Sequence, residues 1–304
     1  MAGSGTAHLR PTDETILRVE NMVVEFPVGK RKVSAVADVS FDIAEGETLG
    51  LVGESGCGKT TTGRAVLQLP TPTAGSVQLE GEELTDLAGL KLREMRRNLQ
   101  MVFQDPVASL TPRRTVGQLV AEPMELWGPP DGFSVDDAVD VALNAVGLDP
   151  VRNKRKRRHE LSGGQCQRVA IARALVLEPT VLLCDEPVSS LDVSVQAQII
   201  NLLHDLSNDL GLTMMFVAHD LAVVRNLSDR VAVMYLGKIC EIGDADEVYR
   251  NSAHPYTTLL LASVPEARLD GGNIDGLQTE VEPPSPLDPP SGCRFRTRCP
   301  HASQ

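Results

Sequence analysis

The sequence feature that most constrains the fold is a glycine-rich loop at residues 53–60, Gly-Glu-Ser-Gly-Cys-Gly-Lys-Thr, between an apolar run and a helix-like segment. Such a loop cradles phosphate: its glycines let backbone N–H groups close around phosphate oxygens, and the next helix directs its positive end at the same anion. Lys59 can then reach the terminal phosphates, and the Thr60 hydroxyl can bind magnesium. The alternative, a turn that only caps a helix, is disfavoured by the order strand, loop, helix.

Size and charge limit the class of protein. The 304 residues, 42% of them apolar, are enough for one large domain or for two lobes with an appendage. A net charge of -12 argues against a general affinity for nucleic acid or anionic lipid. No apolar run approaches the roughly 20 residues of a membrane-spanning helix. Six cysteines without framework spacing favour a reducing, cytoplasmic setting.

The amino-terminal quarter predicts a tail followed by a hairpin. Residues 1–15 are small, polar and unpatterned, which is typical of a mobile tail. Segments 16–26 and 33–43 are rich in β-branched residues and predict two antiparallel strands. Phe26 at the tip either stacks on an adenine ring or packs in the core, and spacing alone favours the core.

The middle of the chain predicts an α/β core with a helical insertion. A buried strand at 99–103 leads into Gln104, which either ligates magnesium or is a solvated loop amide. Helical segments follow at 115–127, 134–146 and 165–177, so we expect a helical lobe. The basic run 152–158 is interpreted as a solvated face, with a nucleic-acid patch as the alternative.

Three further stretches carry candidate chemistry. Ser162 precedes two glycines at a helix start, which predicts a second anion site or a simple cap. Strand 181–186 ends in Asp185 and Glu186, which could hold magnesium and polarise a water, or form a solvated strand exit. His219 ends strand 213–218, where it either senses a γ-phosphate or is structural.

In this order the motifs closely resemble those of the nucleotide-binding subunit of ATP-binding cassette (ABC) transporters, from about Ile16 to Tyr256. Leu161-Ser162-Gly163-Gly164-Gln165 is the most specific stretch, since other P-loop ATPases lack it. The resemblance implies an α/β fold: a P-loop NTPase, RecA-like core with an antiparallel β-subdomain, an inserted α-helical subdomain and an irregular C-terminal extension. The implied limits are a nucleotide-binding domain at 16–250, with its helical subdomain at about 105–178, and an extension at 251–304.

The resemblance also implies roles for single residues, with ATP and Mg²⁺ as ligands. Glu186 is then the general base, His219 the switch, and Lys59 the phosphate ligand. The implied magnesium ligands are Thr60, Gln104 and Asp185, and Gln104 would also sense the transport partner. The implied nucleotide-binding set is Phe26, Gly53, Ser55, Gly56, Cys57, Gly58, Lys59, Thr60, Thr61, Ser162, Gly163, Gly164, Gln165 and Asp192.

The resemblance implies partners as well. Two cassettes would meet head to tail around two ATP molecules, with Ser162 of one at the γ-phosphate bound by the other and Asp192 at the seam. The expected partners are a second ABC ATPase subunit, identical or paralogous, two transmembrane permease subunits and an extracytoplasmic substrate-binding protein, with no nucleic acid. The chain would sit peripherally on the cytoplasmic face of the membrane.

The carboxy-terminal tail narrows the resemblance to dipeptide, oligopeptide and nickel importers. The similar motifs are His254-Pro255-Tyr256-Thr257, Ser263-Val264-Pro265, a proline-rich linker at 283–290, Gly292-Cys293-Arg294-Phe295 and Arg298-Cys299-Pro300. Peptide import is the leading function. The alternatives are a nickel or other small-solute importer and a soluble ABC ATPase acting on nucleic acid or ribosomes. Some members hold an iron–sulfur cluster in this extension, but Cys293 and Cys299 do not complete four thiolates, and no cluster is predicted from them.

Overall fold

The computed structural model describes residues 5–262 and 283–302. Its strands are β1 Leu17–Val28, β2 Arg31–Ile43, β3 Thr48–Val52, β4 Ala74–Leu79, β5 Glu82–Glu83, β6 Leu99–Val102, β7 Val181–Asp185, β8 Thr213–Ala218, β9 Arg230–Tyr235 and β10 Lys238–Asp244. Its helices are α1 Lys59–Val66, α2 Gly89–Asn98, α3 Pro106–Ser109, α4 Val116–Ala121, α5 Met124–Trp127, α6 Val135–Ala145, α7 Pro150–Asn153, α8 Gly163–Leu175, α9 Val193–Leu210, α10 Leu221–Arg225, α11 Ala245–Arg250 and α12 Pro255–Ala262. The Ser263-Val264-Pro265 motif lies outside the described residues.

The chain divides into two compact units, the first made of Met1–Asp86 with Val217–Gln304 and the second of Leu87–Phe216. Each unit is defined by the contacts among its own residues, and the second boundary, between Phe216 and Val217, falls within β8. The domain limits that we predicted after residues 15 and 250 stay predictions.

The first unit contains an antiparallel sheet in the strand order β2-β1-β4-β5. The predicted hairpin is confirmed: Leu17 pairs with Ile43 at one end of the β1–β2 ladder and Val28 with Arg31 at the other. Alternate side chains of β1 are buried, as a sheet with one core face requires. In the same unit β9 pairs parallel with β3 and antiparallel with β10, so β9 lies between these two strands.

Part of the segment for which we predicted a mobile tail contacts this sheet. His8 Nε2 lies 2.9 Å from the carbonyl oxygen of Ser40, and the Arg10 backbone N–H donates to the Asp42 carboxylate at 2.8 Å. Residues 12–14 form a short 3₁₀ turn. Burial of the Asp42 carboxylate explains the contact with Arg10, because a buried charge requires partners.

The second unit is built around α8, which contacts α3, α4, α6, α9 and β6. This helix is buried on more than one side, since Val169 and Ile171, which lie on different sides of it, are both fully buried. β6 and β7 pair in parallel, as expected for two strands that are separated by a helical crossover. The structure thus confirms a mixed α/β fold with a helical insertion.

The segment predicted as one helix at 115–127 is two helices. Pro123 lies between α4 and α5, and its ring nitrogen has no N–H for the helical hydrogen-bond ladder. The prediction of a continuous helix was therefore wrong at this residue.

Part of the basic run at 152–158 is used in local pairing within the second unit. The Lys154 ammonium lies 2.7 Å from carboxylate oxygens of both Asp136 and Asp140. The Arg158 guanidinium donates to the carbonyl oxygen of Val107 at 2.7 Å. These contacts tie α6 and the start of α3 to the segment that precedes α8.

Candidate functional site

The phosphate loop joins β3 to α1 in the first unit, and its glycines are required by close backbone approach. A Cβ atom at Gly53 would lie 2.1 Å from the carbonyl oxygen of Met234, and one at Gly58 would lie 2.2 Å from that of Ala35. Gly58 also has a φ of +109°, which side chains disfavour. Only glycine fits both positions, so the loop has the bare backbone that an anion cradle needs.

The Lys59 side chain lies within this loop. It is 4% exposed, and its ammonium donates to the carbonyl oxygens of Gly53 at 2.8 Å and Glu54 at 3.1 Å. Thr60 and Thr61 follow on the first turn of α1, both half-buried, while Ser55 and Gly56 are exposed. The loop thus presents a cation, hydroxyls and an exposed backbone at one helix start.

Cys57 contributes its backbone to the loop and not a charge. Burial raises the pKa of its thiol to about 11, against the opposing effect of the nearby Lys59 ammonium. The thiol is therefore protonated at neutral pH and does not repel phosphate.

Phe26 and His219 are the other candidates in the first unit. The Phe26 ring is 39% exposed near the end of β1, so it is outside the core and its face is accessible for stacking. His219 is exposed between β8 and α10. Asp220 then caps α10 by accepting from the Ala222 N–H, which fixes the backbone beside the histidine.

The strand ends of the second unit bring two predicted residues together. Leu99 lies opposite Val181 and Val102 opposite Cys184, so β6 and β7 end at the same level. Beyond these ends, Gln104 Nε2 donates to Glu186 Oε2 at 3.0 Å. The backbone of Glu186 has a φ of +45°, which is uncommon for residues other than glycine and asparagine. Such strained backbone conformations cluster at functional sites.

Asp185 precedes Glu186 and is buried at the end of β7, where 1% of it is exposed. Burial, with a smaller contribution from the Asp185 carboxylate, raises the pKa of the neighbouring Cys184 thiol to about 12. The strand therefore delivers one buried and one accessible carboxylate to its carboxyl end, as expected from the alternation of side chains.

The second predicted anion site is the start of α8. The Ser162 hydroxyl accepts from the Gln165 N–H at 3.3 Å, and the Gln165 side chain accepts from the Ser162 N–H at 3.0 Å. This is a capping box, which leaves the Ser162 O–H able to donate. A Cβ atom at Gly164 would lie 2.6 Å from Val195 Cγ1, whereas one at Gly163 would meet Leu191 at 3.4 Å.

Asp192 caps the neighbouring helix α9. Its carboxylate accepts from the Ser194 hydroxyl at 2.7 Å and from the Val195 N–H at 3.0 Å. These hydrogen bonds, the hydroxyl first, lower the pKa of Asp192. It is therefore an exposed, ionised residue on the helix whose Val195 packs closest to Gly164.

Three residues form contacts at the phosphate loop for which the sequence predicted no role. The Glu54 N–H donates to the Tyr256 hydroxyl at 2.9 Å, and Arg298 Nη1 lies 3.0 Å from both Glu54 carboxylate oxygens. Tyr256 and Arg298 stand in motifs that the sequence offered only as markers of a subfamily. Nothing in their spacing indicated a contact with a loop some 200 residues earlier.

A phosphate loop between a parallel strand and a helix, with strand-end carboxylates and a capped Ser-Gly-Gly helix start, defines the class. The family model described as "ABC transporter" matches residues 36–189. The chain therefore belongs to the ABC transporter family and is an ATPase of that family.

A more particular match covers the carboxy terminus, where the model for "Oligopeptide/dipeptide transporter, C-terminal region" matches residues 240–304. The chain is 48% identical over 300 residues to the oligopeptide transport ATP-binding protein OppF of Salmonella typhimurium, covering 95% of this chain and 90% of the relative. It is 48% identical over 298 residues to the oligopeptide transport ATP-binding protein AppF of Bacillus subtilis, with the same coverage of 95% and 90%.

Solved structures agree on the fold. The dimeric post-hydrolysis structure of the ATP-binding cassette MJ0796, bound to ADP and Pi, superposes with a TM-score of 0.68 at 30% identity, covering 75% of this chain and 98% of that one. CbiO1 of Clostridium perfringens, part of the ABC transporter complex cbiONQ, superposes with a TM-score of 0.71 at 29% identity, covering 84% and 99%. The predicted cassette fold is confirmed.

Proposed function

We propose that this chain is the ATP-hydrolysing subunit of an ABC importer that powers uptake of dipeptides or oligopeptides. The observation that carries the proposal is the joining, in one chain, of an ABC cassette to a carboxy-terminal region of the oligopeptide/dipeptide type over residues 240–304. The oligopeptide relatives, similar along nearly the whole chain, favour peptide over nickel as the substrate.

Nucleotide binding is assigned to the phosphate loop and its surroundings. The exposed Phe26 ring stacks on the adenine, and Lys59 exchanges its loop carbonyls for phosphate oxygens. The bare backbone at Gly53 and Gly58 supports this assignment, because a side chain at either position would occupy space that the fold already fills.

Thr60, Gln104 and Asp185 are the residues that would hold Mg²⁺. A hydroxyl, an amide carbonyl and a carboxylate are hard oxygen donors, the type that this ion prefers, so the donor set fits. When bound, the ion neutralises charge on the phosphate oxygens. Thr60 stands in the first turn of α1 in the first unit, whereas Gln104 follows β6 and Asp185 ends β7 in the second unit.

In the proposed hydrolysis Glu186 accepts the proton of the attacking water, which then bonds to the γ-phosphorus as the bond to ADP breaks. The hydrogen bond from Gln104 orients one carboxylate oxygen of this base. His219 contacts the γ-phosphate and responds to its release.

A second cassette is proposed to complete each nucleotide site. The Ser162 O–H and the bare backbone of Gly163 and Gly164 suit a γ-phosphate that is bound by another subunit, with Asp192 beside the seam. The dimeric MJ0796 cassette supports this arrangement. ATP binding would draw the two cassettes together, and hydrolysis would part them.

Membrane attachment is proposed to come from other chains. Among the described residues, no helix combines the length and the apolar character needed to cross a bilayer. The proposed assembly has two permease subunits and an extracytoplasmic binding protein, with this chain on the cytoplasmic face.

Glu186→Gln tests the chemistry. Glutamine keeps the size of the side chain and can still accept from Gln104, so ATP should bind normally, while turnover should fall by about 10²–10⁴-fold, the usual contribution of a general base. Glu94→Gln, an exposed site on α2, is the matched control. Turnover at the wild-type rate in Glu186→Gln would remove the base assignment.

Purification of the chain with its native partners tests the substrate. We expect permease subunits to co-purify, and reconstituted vesicles to hydrolyse ATP faster with a peptide-loaded binding protein. Stimulation by Ni²⁺ alone would favour the nickel importer, and co-purification with nucleic acid or ribosomes would favour the soluble ABC ATPase.

A further inference from the structure

The carboxy-terminal extension holds one residue of the phosphate loop from two sides. The Tyr256 hydroxyl accepts from the Glu54 N–H at 2.9 Å, and the Arg298 guanidinium lies 3.0 Å from each Glu54 carboxylate oxygen. Both partners lie more than 200 residues away along the chain, at separations of 202 and 244. Glu54 is the second residue of the loop and is not in the set to which nucleotide contacts are assigned.

These partners are fixed by burial. Tyr256 is fully buried and Arg298 is 5% exposed. The Tyr256 ring packs against Tyr235 with centroids 4.6 Å apart and against Phe295 at 5.4 Å, and the Arg298 guanidinium lies 5.7 Å from the Phe295 ring. Long side chains lose most of their rotamer freedom in such a setting, so the contact with Glu54 has a defined geometry.

The extension also reaches the loop by a second route. The Arg294 guanidinium donates to the carbonyl oxygen of Leu236, and the next residue, Gly237, donates its N–H to the Cys57 carbonyl oxygen at 2.7 Å. The turn between β9 and β10 therefore connects the extension to the middle of the phosphate loop. Two positions of the loop, Glu54 and Cys57, depend on the same carboxy-terminal segment.

Charge gives these contacts a consequence for binding. The Glu54 carboxylate lies in a loop that accepts phosphate, and an unneutralised carboxylate there would repel the triphosphate. Arg298 is bound to both of its oxygens. Burial alone would lower the pKa of the guanidinium, but its hydrogen bonds with Tyr235 and with Glu54, and the attraction of the Glu54 carboxylate, raise that pKa overall. The charged guanidinium therefore compensates the carboxylate that it contacts.

We propose that Arg298 and Tyr256 are positioning residues of the phosphate loop, through which the carboxy-terminal extension fixes Glu54 and cancels its charge, so that affinity for ATP depends on the extension. The inference rests on the proposed binding of ATP at this loop and goes beyond it, because it gives the extension a role in the nucleotide cycle. Any partner that displaced the extension from Glu54 would therefore weaken ATP binding without contacting the nucleotide itself.

The test measures binding of a fluorescent ATP analogue, with Mg²⁺, to the purified full chain. Arg298→Met should bind at least about fivefold more weakly than wild type, within the usual range for coupling between sites. Glu54→Gln/Arg298→Met should recover most of the affinity, since the repelling charge is gone. Arg296→Met is the matched control, because Arg296 is an exposed arginine of the same segment that donates to Ser291 at 2.9 Å.

The recovery separates a charge effect from misfolding. If Arg298→Met only unfolded the extension, the double variant would bind as weakly as the single one, and the inference would be overturned. Equal affinities for wild type, Arg298→Met and Arg296→Met would also overturn it, while leaving ATP binding by the cassette intact. Failure of the wild-type chain to bind the analogue would instead remove the proposed function, and the inference with it.

Discussion

Replacement of Arg230 by methionine should destabilise the first unit by far more than loss of a surface ion pair. Arg230 begins β9, and its guanidinium lies 3.0 Å from the Asp42 carboxylate and 3.1 Å from that of Glu47. Asp42 is fully buried and Glu47 is 7% exposed. Methionine would fill much of the space of the arginine stem but would leave two buried carboxylates short of a cation.

The size of the loss in stability depends on the positive charge that remains near the two carboxylates. Loss of one partner of a buried ion pair costs about 3–5 kcal/mol when the other charge is left uncompensated. Here Arg10 still lies 3.4 Å from Asp42 and donates to Glu47 as well, so the remaining charges are partly neutralised. We therefore expect a loss of about 2–4 kcal/mol in the free energy of unfolding at pH 7.

The pH dependence gives a second check with a defined sign. Burial alone would raise the pKa of Glu47, but hydrogen bonds from Arg10 and the Ala44 N–H, with the charge of Arg230, lower it overall. A carboxylate whose pKa is lowered by folding stabilises the folded state at pH values above its unfolded pKa of about 4.3. This stabilisation is lost as the pH falls through the pKa of the folded state. The difference between wild type and Arg230→Met should therefore be smaller at pH 3 than at pH 7, with the narrowing confined to pH values below about 4.3.

Urea unfolding of the two proteins at both pH values measures these differences. Arg250→Met is the control, because the Arg250–Asp246 pair is exposed, with side chains 69% and 62% accessible, and should contribute less than about 0.5 kcal/mol. An Arg230→Met variant no less stable than Arg250→Met at pH 7 would contradict the proposed importance of the buried ion pairs. A loss of stability relative to wild type that grows on acidification would contradict it as well.

Two further predictions concern the anion sites. Lys59→Ala should weaken ATP binding by about 100-fold, since it removes a charged donor that lies within the loop, and calorimetric titration against the exposed Lys91→Ala control measures this. Unchanged affinity would contradict the role of Lys59. Gly164→Ala should lower stability by about 1–3 kcal/mol, because its Cβ would lie 2.6 Å from Val195, whereas Gly163→Ala should be near neutral at a contact of 3.4 Å. Urea unfolding compares the two, and equal losses would contradict the packing argument.

Local chemistry explains what the sequence could predict. The phosphate loop, the Ser162 cap and the Asp185-Glu186 strand end each follow from neighbouring residues, because glycine spacing, cap preference and apolar runs act over a few positions. The sequence placed Gln104 and Glu186 at the ends of two separate strands, but their proximity depends on the parallel pairing of β6 with β7, which only the structure shows. Both residues follow the carboxyl ends of adjacent strands.

Long-range contacts explain what the sequence could not predict. The bond between Arg298 and Glu54 depends on how the extension packs against Tyr235, and no local pattern encodes that packing. The φ of +45° at Glu186 is likewise set by the surrounding fold against the preference of the residue. The break at Pro123 was visible in the sequence, but apolar periodicity on both sides of it concealed the interruption.

The hydrogen bond from Gln104 to Glu186 connects the proposed general base to the segment that leads into α3. Gln104 stands two residues before α3, and that short helix is fastened to its unit by Arg158 at the Val107 carbonyl and by Arg173 at the Ser109 carbonyl. A movement of α3 need not bend a strand to reach the proposed catalytic carboxylate, because the Gln104 side chain contacts that carboxylate directly. We expect a displacement of α3 to be transmitted to Glu186 through the Gln104 amide.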